Sequence, residues 1–209
     1  MLDFKKWMTT RSTAAPAPTG PVEYLVVGLG NPGGKYDGTR HNVGFAALDR
    51  LAQKTGCRVD RLKFKGSCGD CMIAGKRVLL LKPSTFMNLS GESVREAMQF
   101  YKLPPQQVIV LSDDISLEPG RMRIRLKGSD GGHNGLKNII YLTGSDQFPR
   151  IKIGVGAKPH PDYDLADWVL GHFSKKDGEK VGQVLEKIPQ AVELLIQGKA
   201  ADAMNRFNH

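Results

Sequence analysis

Apolar positions along the chain switch between two spacings, and the switches lay out a succession of strands and helices. The run "VEYLVV", residues 22–27, has strand length and reads as a buried strand. Phe45, Leu48 and Leu51 then recur at helical spacing, predicting a helix over 43–55 with Asn42 as its cap. Residues 62–82 read as a β-hairpin turning at Ala74-Gly75-Lys76. Val94, Ala97, Met98 and Tyr101 stand at i, i+3, i+4 and i+7, predicting a helix that starts after Asn88 or Ser90. "QVIVLSDD" is another buried strand, and residues 121–127 alternate apolar with basic. Residues 134–142 suit a short helix and "RIKIGVG" a further strand. Two or three helices close the chain, with Pro189 kinking the longest and His172 at a capping position behind a short one.

Such alternation argues an α/β fold: a single domain, with a mixed, largely parallel central sheet and helices on both faces. The domain is expected over 22–209. Residues 1–21 pair a short basic stretch, "MLDFKKWM", with a Thr/Ala/Pro-rich one, which predicts a disordered N-terminal tail. The tail lacks the apolar h-region of a secretory signal.

Charge changes the picture more than composition does. Thirty basic residues against 21 acidic give a net charge of +9, which favours a polyanionic partner. No apolar run approaches the length needed to cross a bilayer, so no membrane partner is expected. The "CGDC" of Cys68 and Cys71 lies in hairpin sequence and not at a helix start, and no second such pair completes a zinc site. With Cys57, these are expected to be reduced thiols outside the chemistry.

"GLGNPG", residues 28–33, fits the glycine pattern of a dinucleotide site. In such a site the helix starts inside the motif, whereas here "GKYDGTRHN" follows, with no helical spacing. Asp49, at the distance of a ribose-binding acid, falls in mid-helix. "GDCMIAGKR" fails as a P-loop, with Arg77 where Ser or Thr is needed. No cofactor is expected, and the glycines are left to make a tight turn or a close approach.

Asn31, Asn88 and Asn134 each stand beside small residues at an element boundary. Each could be a cap or turn, but neutral amides can also aim a water or hold a carbonyl. Of five histidines, His41 and His133 lie in glycine-flanked loops and are the candidates for a general base. Asp113 and Asp114 end a buried strand, where a carboxylate could orient an imidazole. There is no G-x-S-x-G elbow to support an acyl-serine route.

Together, "VVGLGNPGGKYDGTRHNVGF", "KPSTFMNLSGESV", "SDDISLEPG" and "KGSDGGHNGLKNII" strongly resemble bacterial-type peptidyl-tRNA hydrolase, in order and spacing, from about Val22 to "AMNRFN". The resemblance implies hydrolysis of the ester joining a peptide, or an N-blocked amino acid, to the 3′ end of tRNA. It thereby implies tRNA recycling from peptidyl-tRNA released by stalled ribosomes. It further implies a cytoplasmic monomer that needs no metal. The family's catalytic histidine falls on His41, the aspartate that keeps it basic on Asp113, and the asparagine that senses the blocked amino group on Asn31. Positions lining the peptide and 3′-adenosine site fall on Tyr36, Phe86, Asn88 and Asn134. Better-known members often carry His or Tyr before the aspartate and read "GGHGGHNG", where this chain has Ser112 and "GSDGGHNG". Some plant organellar relatives share the fold but act as RNA-splicing factors, so a binding module without turnover is the second expectation.

Two stretches bear on how RNA would be held. Arg121, Arg123, Arg125 and Lys127 alternate with Met122, Ile124 and Leu126, and Arg150 and Lys152 alternate with Ile151, Ile153 and Val155. Period two sends each basic set to one face and each apolar set to the core. By the resemblance, Arg125 and Lys152 would clamp the tRNA 5′ phosphate.

Overall fold

The computed structural model describes residues 18–208; the tail expected over 1–21 lies almost wholly outside the described residues. One seven-stranded sheet runs in the order β2-β3-β4-β1-β5-β7-β6. Its centre is β4 (Lys76–Pro83), β1 (Tyr24–Gly28), β5 (Val108–Asp114) and β7 (Arg150–Gly154), all parallel. Antiparallel strands flank it: β3 (Gly66–Ile73) and β2 (Arg61–Lys63) on one side, β6 (Met122–Arg125) on the other. The hairpin expected over 62–82 therefore gains a second turn at Phe64-Lys65. Both residues there take positive φ, which apolar patterning does not announce.

Helices cover both faces. Val26, Leu80, Ile109 and Ile151 pack under α1 (Val43–Thr55) and the closing helices, while Leu25, Val27, Leu79 and Val110 pack under α2 (Ser90–Tyr101) and α3 (Asn134–Thr143). Four helices close the chain: α4 (Leu165–Leu170), α5 (Lys175–Leu185), α6 (Ile188–Ile196) and α7 (Ala200–Phe207). Pro189 kinks none of them. It occupies the first turn of α6, the one place in a helix where a missing N–H costs nothing.

Close approach is indeed what the glycine stretch supplies. α1 begins directly against the strand ends: a Cβ on Gly30 would lie 2.6 Å from the Phe45 ring, and one on Gly44 2.5 Å from the carbonyl oxygens of Leu29 and Leu111. A larger residue would lift α1 and carry with it the residues just before, His41 among them. Cys68 and Cys71 face opposite sides of β3 and are free thiols, so "CGDC" is core.

Candidate active site

Strand order reverses about β1: the chain passes to β4 on one side and to β5 on the other, a switch point at whose carboxyl strand ends α/β folds build their sites. Asn31 follows β1, Phe86 follows β4, and Asp113 lies near the end of β5. The 3-10 turn Arg40–Asn42 sets His41 over these strand ends, and its Nδ1 lies 2.9 Å from Asp113 Oδ1.

A second imidazole meets the same oxygen. His133 Nε2 is also 2.9 Å from Asp113 Oδ1, and the two rings are 5.0 Å apart. His133 is the N-cap of α3, a place the spacing assigned to no histidine: its Nδ1 accepts from the backbone N–H groups of Gly135 and Leu136 at 3.1 and 3.3 Å. That assigns the protons. A nitrogen that accepts two N–H donors carries no proton, so His133 is the neutral tautomer and gives Nε2–H to Asp113. Asp113 Oδ1 accepts a second hydrogen bond, from His41 Nδ1–H, and in the neutral imidazole that tautomer carries its lone pair on Nε2. Of the two histidines left open by the sequence, His41 is the one whose second ring nitrogen is not engaged by the backbone of α3.

Asp113 itself is buried, which alone would raise its pKa. The two imidazoles more than offset that and hold the carboxyl below the usual carboxylate range. It is an anion at any pH near neutrality. Ser112, its neighbour on β5, is fully buried on the opposite face of the strand.

Asn31 is buried, and every part of it but one is engaged. Its backbone N–H donates to Asn42 Oδ1 at 2.8 Å, and its carbonyl accepts from Asn42 Nδ2 at 2.9 Å. Its side-chain oxygen accepts from Met87 N–H at 2.8 Å. Among the described residues, its NH₂ alone has no partner. Asn42 was expected to cap α1; its side chain instead splints Asn31 and makes no cap bond.

Around this centre, Phe86, Asn88 and Asn134 are exposed. Asn134 opens α3 and Asn88 lies in the 3-10 turn Met87–Leu89, which packs against α3. Gly135 permits that packing, because a Cβ there would stand 2.7 Å from Met87 Sδ. Tyr36 sits apart: half-buried in the turn leading to His41, its ring lies beneath the Lys35 ammonium, 4.8 Å away. Among the described residues it makes no bond to Asn31, His41 or Asp113. His172, expected as a cap, leaves that place to Gly171 and pairs with Thr39.

The basic face is smaller than the alternation predicts. Arg125 is exposed on β6, and Lys152 is on the neighbouring strand, paired at 2.9 Å with Asp114. Arg150 is 1% exposed and donates to the carbonyls of Ser129 and Asp146, so it holds the loop before His133 and is no part of an open surface. Leu126, assigned to the core, lies beyond the end of β6 and is exposed.

Parallel strand ends that present a carboxylate-held imidazole, with three neutral amides on the adjoining loops, are the arrangement of an α/β enzyme that could activate a water. Comparison with known proteins gives its kind. The family described as "Peptidyl-tRNA hydrolase" matches residues 25–209. Proteins named peptidyl-tRNA hydrolase from Alkaliphilus oremlandii and Agathobacter rectalis are 54% and 55% identical over 185 and 186 residues. Those alignments cover 88% of this chain and 99% and 100% of the relatives. A crystal structure of peptidyl-tRNA hydrolase from Acinetobacter baumannii superposes with a TM-score of 0.85 at 35% identity, covering 91% of this chain and 97% of that one. The chain belongs to the peptidyl-tRNA hydrolase family.

Proposed function

We propose that this enzyme hydrolyses the ester between a peptide, or an N-blocked amino acid, and the 3′ end of tRNA. It would thereby recycle tRNA from peptidyl-tRNA released by stalled ribosomes. The observation that carries the mechanism is the proton assignment about Asp113. His41 Nε2 takes a proton from a water as its oxygen attacks the ester carbonyl, and Asp113 stabilises the imidazolium that forms. Asn88 and Asn134, at the rim, offer neutral donors to the developing oxyanion or to the terminal adenosine. Collapse breaks the bond to the ribose oxygen, which recovers the proton from His41. The products are a free carboxylic acid and a tRNA 3′ hydroxyl.

The enzyme works in this reading as a cytoplasmic monomer, without metal or cofactor. His41, Asp113 and His133 do place three ligand atoms within 4.8 Å. A metal at His133 Nε2 would, however, require an imidazolate, because Nδ1 already accepts from the N-terminus of α3. No helix among the described residues is long and apolar enough to cross a membrane. Release of N-acetyl-aminoacyl groups from tRNA by the purified chain tests the proposal. The expected rate is the same with and without EDTA; no turnover would leave only the binding module.

Arg125 and Lys152 are proposed to hold the tRNA 5′ phosphate, Lys152 exchanging its Asp114 partner for the RNA. Replacing both by Ala is expected to raise KM about tenfold, leave kcat within roughly twofold, and lower the log–log salt slope by about one per lost contact. A minimal ester substrate lacking the 5′ phosphate should be nearly indifferent. If the small substrate suffers as badly as full tRNA, the pair supports the fold or the catalytic centre and is no clamp.

A further inference from the structure

Arg40, immediately before His41, has a long cationic side chain that the mechanism above leaves unused. It is 8% exposed, and burial lowers its pKa, with Asp177 the foremost opposing charge. Among the described residues it has no ion-pair partner within 4.0 Å. A guanidinium taken out of water without a carboxylate is costly to keep, so its contacts should matter.

Those contacts all lead to one segment. The guanidinium lies over the Trp168 ring, 3.5 Å from its centroid, with the Phe173 ring 5.5 Å away. One terminal nitrogen donates to the Trp168 carbonyl at 3.2 Å, and the Arg40 backbone N–H donates to the Gly171 carbonyl at 3.0 Å. Gly171 makes room: a Cβ there would lie 2.9 Å from that guanidinium nitrogen. Trp168 is fixed in turn, since its indole N–H donates to the Gly156 carbonyl, two residues past β7, at 2.8 Å. Residues 159–167, between these anchor points, are all exposed; Lys158 donates to the carbonyls of Pro161 and Tyr163, and the Tyr163 ring leans on Trp168 itself. The path runs from β7 through Trp168 and Arg40 to the peptide bond of His41.

We infer that Arg40 is a positioning residue for His41, a strut seated on Trp168 that fixes the 39–42 turn. With the turn fixed, Nδ1–H stays on Asp113 and Nε2 stays aimed at the water. Only a planar cation does this well, because it stacks on an indole face and donates at its edge together. The inference rests on the reading of His41 as the base.

Arg40→Ala in the full chain should lower kcat for N-acetyl-aminoacyl-tRNA by about 10- to 100-fold while KM stays within about twofold. Millimolar guanidinium should restore part of that rate and do nothing for the unaltered enzyme. Trp168→Leu should reproduce the loss, and the double variant should be no worse than either single one. In NMR spectra the His41 Nδ1–H resonance, set by its bond to Asp113, should shift or broaden in both variants. Arg40→Lys keeps the charge without the planar face and is expected to show the same two changes; it decides the matter if Arg40→Ala does not fold. Normal kcat in Arg40→Lys or Arg40→Ala, additive losses, or an unmoved His41 resonance would overturn the inference. Normal turnover by His41→Ala would instead sink the reading of the base, and the resonance would still report whether Arg40 sets that ring.

Discussion

His41→Ala is expected to lose on the order of 10²–10⁴ in kcat on N-acetyl-aminoacyl-tRNA, with KM nearly unchanged. The size follows from the proton assignment. His133 cannot stand in, because its accepting nitrogen is spent on two backbone N–H groups of α3 and its other nitrogen holds a proton against Asp113. Neither carboxylate at the end of β5 can substitute: Asp113 is buried beneath the imidazoles and Asp114 is turned to Lys152 and Ser116. Asp113→Asn should act on the same step with a smaller loss. An amide oxygen can still accept from His41 Nδ1–H, but the negative charge that steadies the imidazolium is gone. Single-turnover rates at saturating substrate separate chemistry from binding. Near-normal turnover by His41→Ala would mean that another group takes the proton from water.

Much of this was legible in the chain. The helix over 43–55, the buried strand at "VIVLSDD" and the helix after Asn88 all stand where spacing puts them, because each buries an apolar stripe and the sheet covers it. His41 and Asp113 do meet, since one stands in the turn just before α1 and the other near the end of β5, and the packing of α1 on the strand ends makes them neighbours. What patterning could not give was side-chain hydrogen bonding across elements. Asn42 looks like a cap, yet Asn31, eleven residues earlier, competes successfully for its amide. His133 looks like a spare base and is a cap, because an imidazole nitrogen accepts N–H groups as well as a carboxylate does. Arg150 alternates like a surface residue, but two loop carbonyls and the Phe148 ring draw it inside. A hint was available for His133: it stands directly before a helical run and behind two glycines, where an N-cap belongs.

Asn31→Asp is expected to lower kcat/KM for N-acetyl-aminoacyl-tRNA by on the order of 10²-fold, and to lower it far less for aminoacyl-tRNA with a free amino group. The side-chain oxygen of Asn31 is taken by Met87 N–H, and its backbone is splinted by Asn42, so the NH₂ is what a ligand meets. An NH₂ donates. It suits the carbonyl of a peptide or acetyl group, and it sets the positive end of a dipole against an ammonium. The carboxylate variant can still accept from Met87 N–H with one oxygen. Its other oxygen brings a poorly solvated negative charge to where the donor stood, repelling a carbonyl and attracting an ammonium. The preference for the blocked substrate should therefore narrow. A competing account makes Asn31 only a turn former before Pro32, in which case the variant distorts the loop for every substrate alike. Measuring both substrates on one preparation decides between them: rates that fall together, with the ratio unchanged, would assign Asn31 to the turn and leave recognition of the blocked amino group to other residues.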